Sequence, residues 1–399
     1  MFRVRLCAAV VIALAVASGG QAAMQVNTYT EHHQIDPAVA MNDSGDFVVV
    51  WRSHVADGRG GGVYGRRFGA DGEAAEEEFK INIGAIDVDN WTPAVAISPS
   101  GTFVVAWPTS QNGDADLVAR MFDVDGTALT EELPVAVSPS AVASTPSIAM
   151  NTAGDFVIVW TNWHGDNYIG RSYVVARVYD ANGAPVSDEI AVGERTQQMW
   201  PDVAMDDAGR FMVTWIRMGD TYNRPYGEYI MVRQFEADGT PLAREVPLTE
   251  DLNSRWYGPS VAANCAGGFL VTWAVGPFPY DICAQPFDPD GVPITPPYMV
   301  NTLLDGNQGH PRVTCNGTDE YLIVWDSHGA AGAACQVRGQ FCTCDGEIDG
   351  DEMMLNTEPS GRHWYPDAAM AADGRYVVVW ISEDLDGSGY GVFAEVGQK

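Results

Sequence analysis

Seven times along the chain an apolar run appears that has no polar face. In the first, Phe47, Val49 and Trp51 point to one side of an extended strand, and Val48 and Val50 to the other. A strand that is apolar on both faces needs a covering layer on each side. The flanks of these runs repeat as well. A Pro stands fourteen residues before the closing Trp in Pro37/Trp51, Pro93/Trp107, Pro146/Trp160, Pro201/Trp215, Pro259/Trp273, Pro311/Trp325 and Pro366/Trp380. Four residues before each Trp is an aromatic (Phe47, Phe103, Phe156, Phe211, Phe269, Tyr321, Tyr376). Six before it is a Gly, except in the sixth copy, where Asp319 stands. A spacing held fixed while the intervening segments vary in length marks one structural unit repeated along a scaffold.

Each copy reads as four short strands, A to D, rich in Val, Phe, Tyr and Trp and separated by turn residues. In the first copy they are expected over Asp36 to Met41, Asp46 to Arg52, Val63 to Gly69 and Glu78 to Asn82. The C–D turn carries Asp-Gly or Asn-Gly, as in Asp71-Gly72, Asp125-Gly126 and Asn182-Gly183. Both residue types tolerate the positive φ of tight hairpin turns. No segment shows helical periodicity.

Seven four-stranded units point to an all-β, seven-bladed β-propeller whose blades cover one another around an axis. The ends of the chain agree. The last copy stops at strand C, Gly389 to Val396, and lacks strand D. Met24-Gln25-Val26-Asn27-Thr28 resembles the D strands Met299-Val300-Asn301-Thr302 and Met354-Leu355-Asn356-Thr357. The N-terminal strand is therefore expected to complete the last blade and remove an exposed sheet edge. The chain thus resembles the exported, repeat-built bacterial seven-bladed propellers over essentially its whole length after residue 22. It lacks the WD40 signature, since Trp325-Asp326 is its one Trp-Asp step, and the sialidase Asp-box pattern is absent too. The resemblance carries a fold and no activity.

Residues 1–22 read as a signal peptide: Arg3 and Arg5, the apolar run Leu6 to Ala17, then small residues at Gly20 and Ala22. That leaves one propeller domain over 23–399 and an expected secreted or periplasmic location. No later stretch is long and apolar enough for a membrane helix. The net charge of −31 excludes nucleic acid as a partner, along with insertion into anionic membranes. Six cysteines, Cys265, Cys283, Cys315, Cys335, Cys342 and Cys344, all fall in the fifth and sixth copies, and in an exported chain they read as disulfides. No cofactor is expected. The acidic runs Asp384 to Gly389 and Asp345 to Glu352 carry oxygen ligands and glycines, but neither completes a calcium loop.

The candidate chemistry is one-sided. Of twelve Trp, the five outside the repeat (Trp91, Trp163, Trp200, Trp256, Trp364) lie in D–A or B–C connections, as do all seven His. In a propeller those connections share one face. The candidate ligand-binding set is Trp91, Trp163, His164, Trp200, Trp256, Tyr257, His310, His363, Trp364 and Tyr365. Exposed aromatics among polar neighbours suit a binding surface, and flat rings suit stacking on sugars. No GxSxG elbow, HExxH helix or phosphate loop is present. The leading expectation is a monomeric, non-catalytic module that binds a glycan or an extracellular protein on this face. The alternatives are a polysaccharide hydrolase or lyase using His310 or His363, and a structural envelope component.

Overall fold

The expected strands form wherever the repeat places them. A computed structural model describes residues 23–54, 61–84, 92–109, 116–136, 141–164, 172–194, 197–218, 228–249, 258–264, 266–276, 278–318, 320–329, 334–356, 361–383 and 385–399. Residues 1–22, where a signal peptide is expected, lie outside them. All regular structure among the described residues is strand, arranged as seven four-stranded antiparallel sheets. Blade 1 is built from Gln34–Met41, Phe47–Ser53, Gly62–Phe68 and Phe79–Lys80, in that order from inner to outer edge. Five more blades follow the same order. Blade 7 takes His363–Met370, Arg375–Glu383 and Tyr390–Gln398 from the C-terminal end and Met24–Gln25 from the other.

The two apolar faces of strand B are used as their alternation requires. Phe47, Val49 and Trp51 pack with Val377 and Val379 of blade 7. Val48 and Val50 pack with Phe103, Val105 and Trp107 of blade 2. The same exchange recurs at every interface, and each hydrophobic cluster contains one repeat Trp. All seven repeat Trp are at most 2% exposed, so they are blade packing and not surface. The Gly of the A–B turn has φ between +82° and +92° in six copies, a region closed to most side chains.

The latch forms. Met24 pairs with Ala394 and Gln25 with Phe393, and Val26 N donates to Val392 O at 2.8 Å. Asn27 shows why the sequence likeness to other D strands is physical. Its Oδ1 accepts from Val392 N at 2.7 Å. Asn301 does the same for Ile282 N, and Asn356 for Val337 N, at 2.7 and 2.8 Å.

The expected disulfides are not seen among the described residues. No disulfide joins any two of Cys283, Cys315, Cys335, Cys342 and Cys344, and Cys265 lies outside the described residues. Register explains part of this. Cys315 pairs with Tyr321, and Tyr321 with Cys342, so two strand spacings, roughly 10 Å, separate those cysteines. A disulfide needs Cα atoms within about 7 Å. Burial pushes the thiols of Cys283 and Cys342 up to about 11 and about 12, so they stay protonated at neutral pH.

Candidate functional site

The repeat Pro lies at the lip of the central channel. A cavity of about 770 Å³ is lined by six of them (all but Pro311), by the residue before each of the seven and by the start of each strand A. Proline lacks an N–H, so it breaks the A–B ladder. The register slips there in the five blades whose strand A spans the Pro. In those blades the preceding residue is left-handed: Asp36, Thr145, Trp200, His310 and Tyr365 have φ of 55°, 48°, 50°, 47° and 51°. Non-glycine residues rarely hold this conformation, and it costs on the order of 1–3 kcal/mol where the surrounding fold imposes it. Each of the five lines the lumen. The D–A and B–C connections do share one face, where His54 N bonds His33 O and Met218 N bonds Gln197 O, both at 2.9 Å. On the other face the short turns meet, with Ala70 N donating to Asp46 Oδ1.

The chemistry gathers on three consecutive blades. His310 Nδ1 is 2.7 Å from Asp326 Oδ2, and His328 Nε2 is 3.2 Å from the other oxygen. Asp326 is fully buried at the end of strand B of blade 6. Burial works against its charge, but His310 and then His328 outweigh it and hold the carboxyl well below the usual carboxylate range. An ionised carboxylate only accepts hydrogen bonds, so His310 Nδ1 carries a proton towards Asp326 and Nε2 is the ring's other nitrogen. The Tyr365 ring lies 4.4 Å from His310, and its backbone N is 3.4 Å from Asp326 Oδ2. Tyr365 is 45% exposed, and its phenol is pushed up by burial of its inner part, then by Asp326 and Asp36. Next around the lip, Asp36 faces Arg52 at 3.2 Å. Burial raises its carboxyl more than Arg52 lowers it.

One position deeper, the residue after each Pro forms a second layer. Asp367 Oδ2 accepts from Val39 N of the next blade and Asp202 Oδ2 from Val261 N, both at 2.9 Å. Ser147 Oγ donates to Asp202 at 2.6 Å. Arg312 lines the same level. Asp367 is pushed up to about 6 by burial, partly offset by Arg312, with Asp202 adding to the rise.

The sequence candidates separate by their phase along strand A. Trp200, His310 and Tyr365 stand immediately before Pro and line the lumen. Trp364, two before Pro, is half-buried against Tyr390 with Arg362 over its ring. His363, three before Pro, is 1% exposed and bonds Ser382 Oγ at 2.7 Å. It occupies the buried position that Gln34, Gln198 and Gln308 hold in other blades, which places its ring in the blade wall. Trp163 is half-buried with Nε1 donating to Ser144 Oγ, and His164 packs edge-on to Tyr173 at the outer part of blade 3. Trp91, Trp256 and Tyr257 lie outside the described residues. Sequence reasoning passed over Asp36, Asp202, Arg312 and Asp367. Alternation along strand A puts the residues on either side of Pro on one face, and that signal was present. Asp326 was visible as a residue without counterpart in the other blades.

No protein-family model matches the chain, and no curated sequence does. Solved structures do. An ulvan lyase of polysaccharide lyase family PL25 superposes with a TM-score of 0.59 at 10% identity, over 94% of this chain and 96% of the other. An α-L-arabinanase of Penicillium chrysogenum, solved with arabinobiose, gives 0.52 at 12%, over 95% and 99%. The propeller domain of the Trilobed protease of Pyrococcus furiosus gives 0.54 at 11%, over 93% and 96%. At these identities the likeness shows the β-propeller fold. It also corrects the leading expectation of a non-catalytic binding module. Structures that share this ring include polysaccharide-cleaving enzymes, and the channel lip carries titratable side chains and not aromatics alone.

Two acidic groups named as calcium candidates have protein partners. Glu352 accepts from Thr302 N and Oγ1 at 2.7 Å and pairs with Arg338 at 2.9 Å. Asp386 accepts from Asn27 Nδ2 at 3.2 Å, and Asp384 lies outside the described residues. Among the described residues no helix is long and apolar enough to cross a membrane.

Proposed function

We propose that the chain is a polysaccharide-cleaving enzyme that works at the channel mouth by β-elimination at a uronate residue. The observation that carries this reading is His310, oriented by buried Asp326 and in ring contact with Tyr365 at the lumen. His310 Nε2 takes the proton from the carbon beside the substrate carboxylate. The electron pair of that C–H bond forms the C=C bond as the glycosidic C–O bond breaks, and Tyr365 protonates the leaving oxygen. Arg312, one layer deeper, offsets the carboxylate charge that grows during proton abstraction. The polysaccharide-acting enzymes among similar folds support the substrate class, and export through residues 1–22 fits it.

A second reading, hydrolysis, is favoured by Asp367. A carboxyl raised to about 6 within reach of the charge of Asp202 is the kind of couple that glycosidases use for acid and base roles. One assay separates the readings. The protein is incubated with a panel of uronate and neutral polysaccharides, following reducing ends and the ultraviolet absorbance of unsaturated uronate. Both signals rising, and falling about 10²–10⁴-fold in His310→Ala, is the expected result. Reducing ends without absorbance would establish hydrolysis. No release from any polysaccharide would overturn the enzyme reading.

A further inference from the structure

Blade 5 presents a glycine at the lip position just before its Pro. The seven residues before Pro are, in ring order, Asp36, Thr92, Thr145, Trp200, Gly258, His310 and Tyr365, and Gly258 alone lacks a Cβ. Its neighbours are the largest aromatic of the lip and the histidine oriented by Asp326. The gap is not idle space. A Cβ added at Gly258 would come within 3.2 Å of Trp200 Cβ and 3.9 Å of its Cγ, closer than most side-chain packing allows for the first. Trp200 therefore leans over the sector of blade 5, anchored against the core between blades 4 and 5. At this position blade 5 contributes only backbone, so among the described residues that precede a repeat Pro no side chain stands between Trp200 and His310.

We propose that this edge, Trp200 across Gly258 to His310, is a sugar-ring subsite, which rests on the polysaccharide reading above. An indole lining a lumen offers a flat apolar surface to the C–H face of a pyranose, while sugar hydroxyls stay with the polar rim. A ring held there abuts the His310 sector, so the subsite sets which bond of the polymer reaches the base. Trp200 is a positioning and specificity residue. Its left-handed backbone and its lean over Gly258 fix its direction before substrate arrives, which lowers the ordering cost of binding.

The test uses the full chain and whichever panel polysaccharide it cleaves, with KM and kcat measured separately. Trp200→Ala is expected to raise KM at least tenfold with kcat changed less than threefold, and Trp200→Phe to restore most of the loss. Gly258→Val, which displaces Trp200, is expected to raise KM in the same way, while His310→Ala lowers kcat. Melting temperatures of all variants identify any that misfold, and Trp200→Phe keeps the test open should Gly258→Val fail to fold. Unchanged KM in Trp200→Ala, with His310→Ala inactive, would overturn the subsite and leave the function reading intact. Absence of turnover in the wild type would overturn both.

Discussion

Blades 1 to 4 and blades 5 to 7 are built on the same repeat, yet they solve the outer edge of the ring differently. In blades 1 to 4 an Arg stands two residues before the aromatic that ends strand C. Its Nε bonds a carbonyl of its own outer strand segment: Arg66 to Glu76, Arg120 to Thr130, Arg177 to Ser187 and Arg233 to Ala243, at 2.9–3.3 Å. Its Nη1 reaches the previous blade, at Val26, Ile81, Val135 and Val192 O, at 2.8–3.2 Å. The guanidinium also lies over the aromatic ring, 5.4–5.8 Å from its centre. In blades 5, 6 and 7 the position holds Gln285, Gln340 and Glu395. Gln285 keeps the bond to its own blade, at Thr295 O, and among the described residues its shorter side chain makes no hydrogen bond to blade 4. The stacked aromatic pairs of blades 1 to 4 give way to Tyr321–Cys342 in blade 6 and Tyr376–Gly397 in blade 7. The irregular blades are also those that hold Asp326, His310, Gly258 and Tyr365. The difference teaches that the uniform bracing stops at the blades that hold His310, Asp326 and Tyr365, while Asp36 and Trp200 stand on braced blades at either side of them.

The comparison can be broken first at what the two halves share. Trp160→Ala and Trp325→Ala should each cost about 3–5 kcal/mol in chemical denaturation, because both side chains are fully buried at an interface. Very unequal costs would mean that the halves differ in their cores as well as at their edges. Next in size is the latch. Asn27→Ala leaves the buried Val392 N–H without its acceptor and should cost about 1–3 kcal/mol, lowering Tm in a scan by several degrees. No change in Tm would show that ring closure does not rest on this strand.

The bracing itself comes third. Arg233→Gln copies blade 5 into blade 4 and should lose about 1–2 kcal/mol, while Gln285→Arg should gain up to about 1. Two neutral results would reduce the comparison to sequence drift. The smallest effect concerns Glu395, whose Oε2 is buried without a hydrogen-bond partner among the described residues. Burial pushes this carboxyl up to about 7. A raised acid favours the protonated fold, so its contribution is full below the ordinary Glu range and is lost as pH rises through about 7. Glu395→Gln should therefore raise Tm at pH 8, by about 1 kcal/mol of stability, and have little effect at pH 5. An equal shift at both pH values would exclude titration of Glu395 as the cause.

The fold was legible because its determinants are local and repeated. Strand B declares two covered faces by alternation alone, and Asn27 repeats the side chain that Asn301 and Asn356 use for the same bond. Strand bounds shifted by one or two residues, and the outer strands shrank to Phe79–Lys80 and its equivalents. The site was legible only to its neighbourhood. Aromatics and histidines near Pro were visible, but a bulge at Pro decides which of them turn inward. One residue of phase sends His310 to the lumen, and three before Pro sends His363 into the wall. Asp326 gains its role from His310 and Tyr365, on two different strands of two blades, a convergence no linear spacing encodes.

The latch has a kinetic consequence. Residue 24 finds its partner at residue 394, so the last sheet joins the most distant contacts in the chain. Long-range pairings form slowly because loop closure precedes any gain from the contact. Until that pairing is made, the ring is an open arc that presents the apolar faces of strand B in blades 1 and 7, Trp51 among them, to whatever is nearby. Such an open arc is expected to be the aggregation-prone species of this protein. Its lifetime, more than the stability of the finished ring, should govern how much chain survives folding at high concentration.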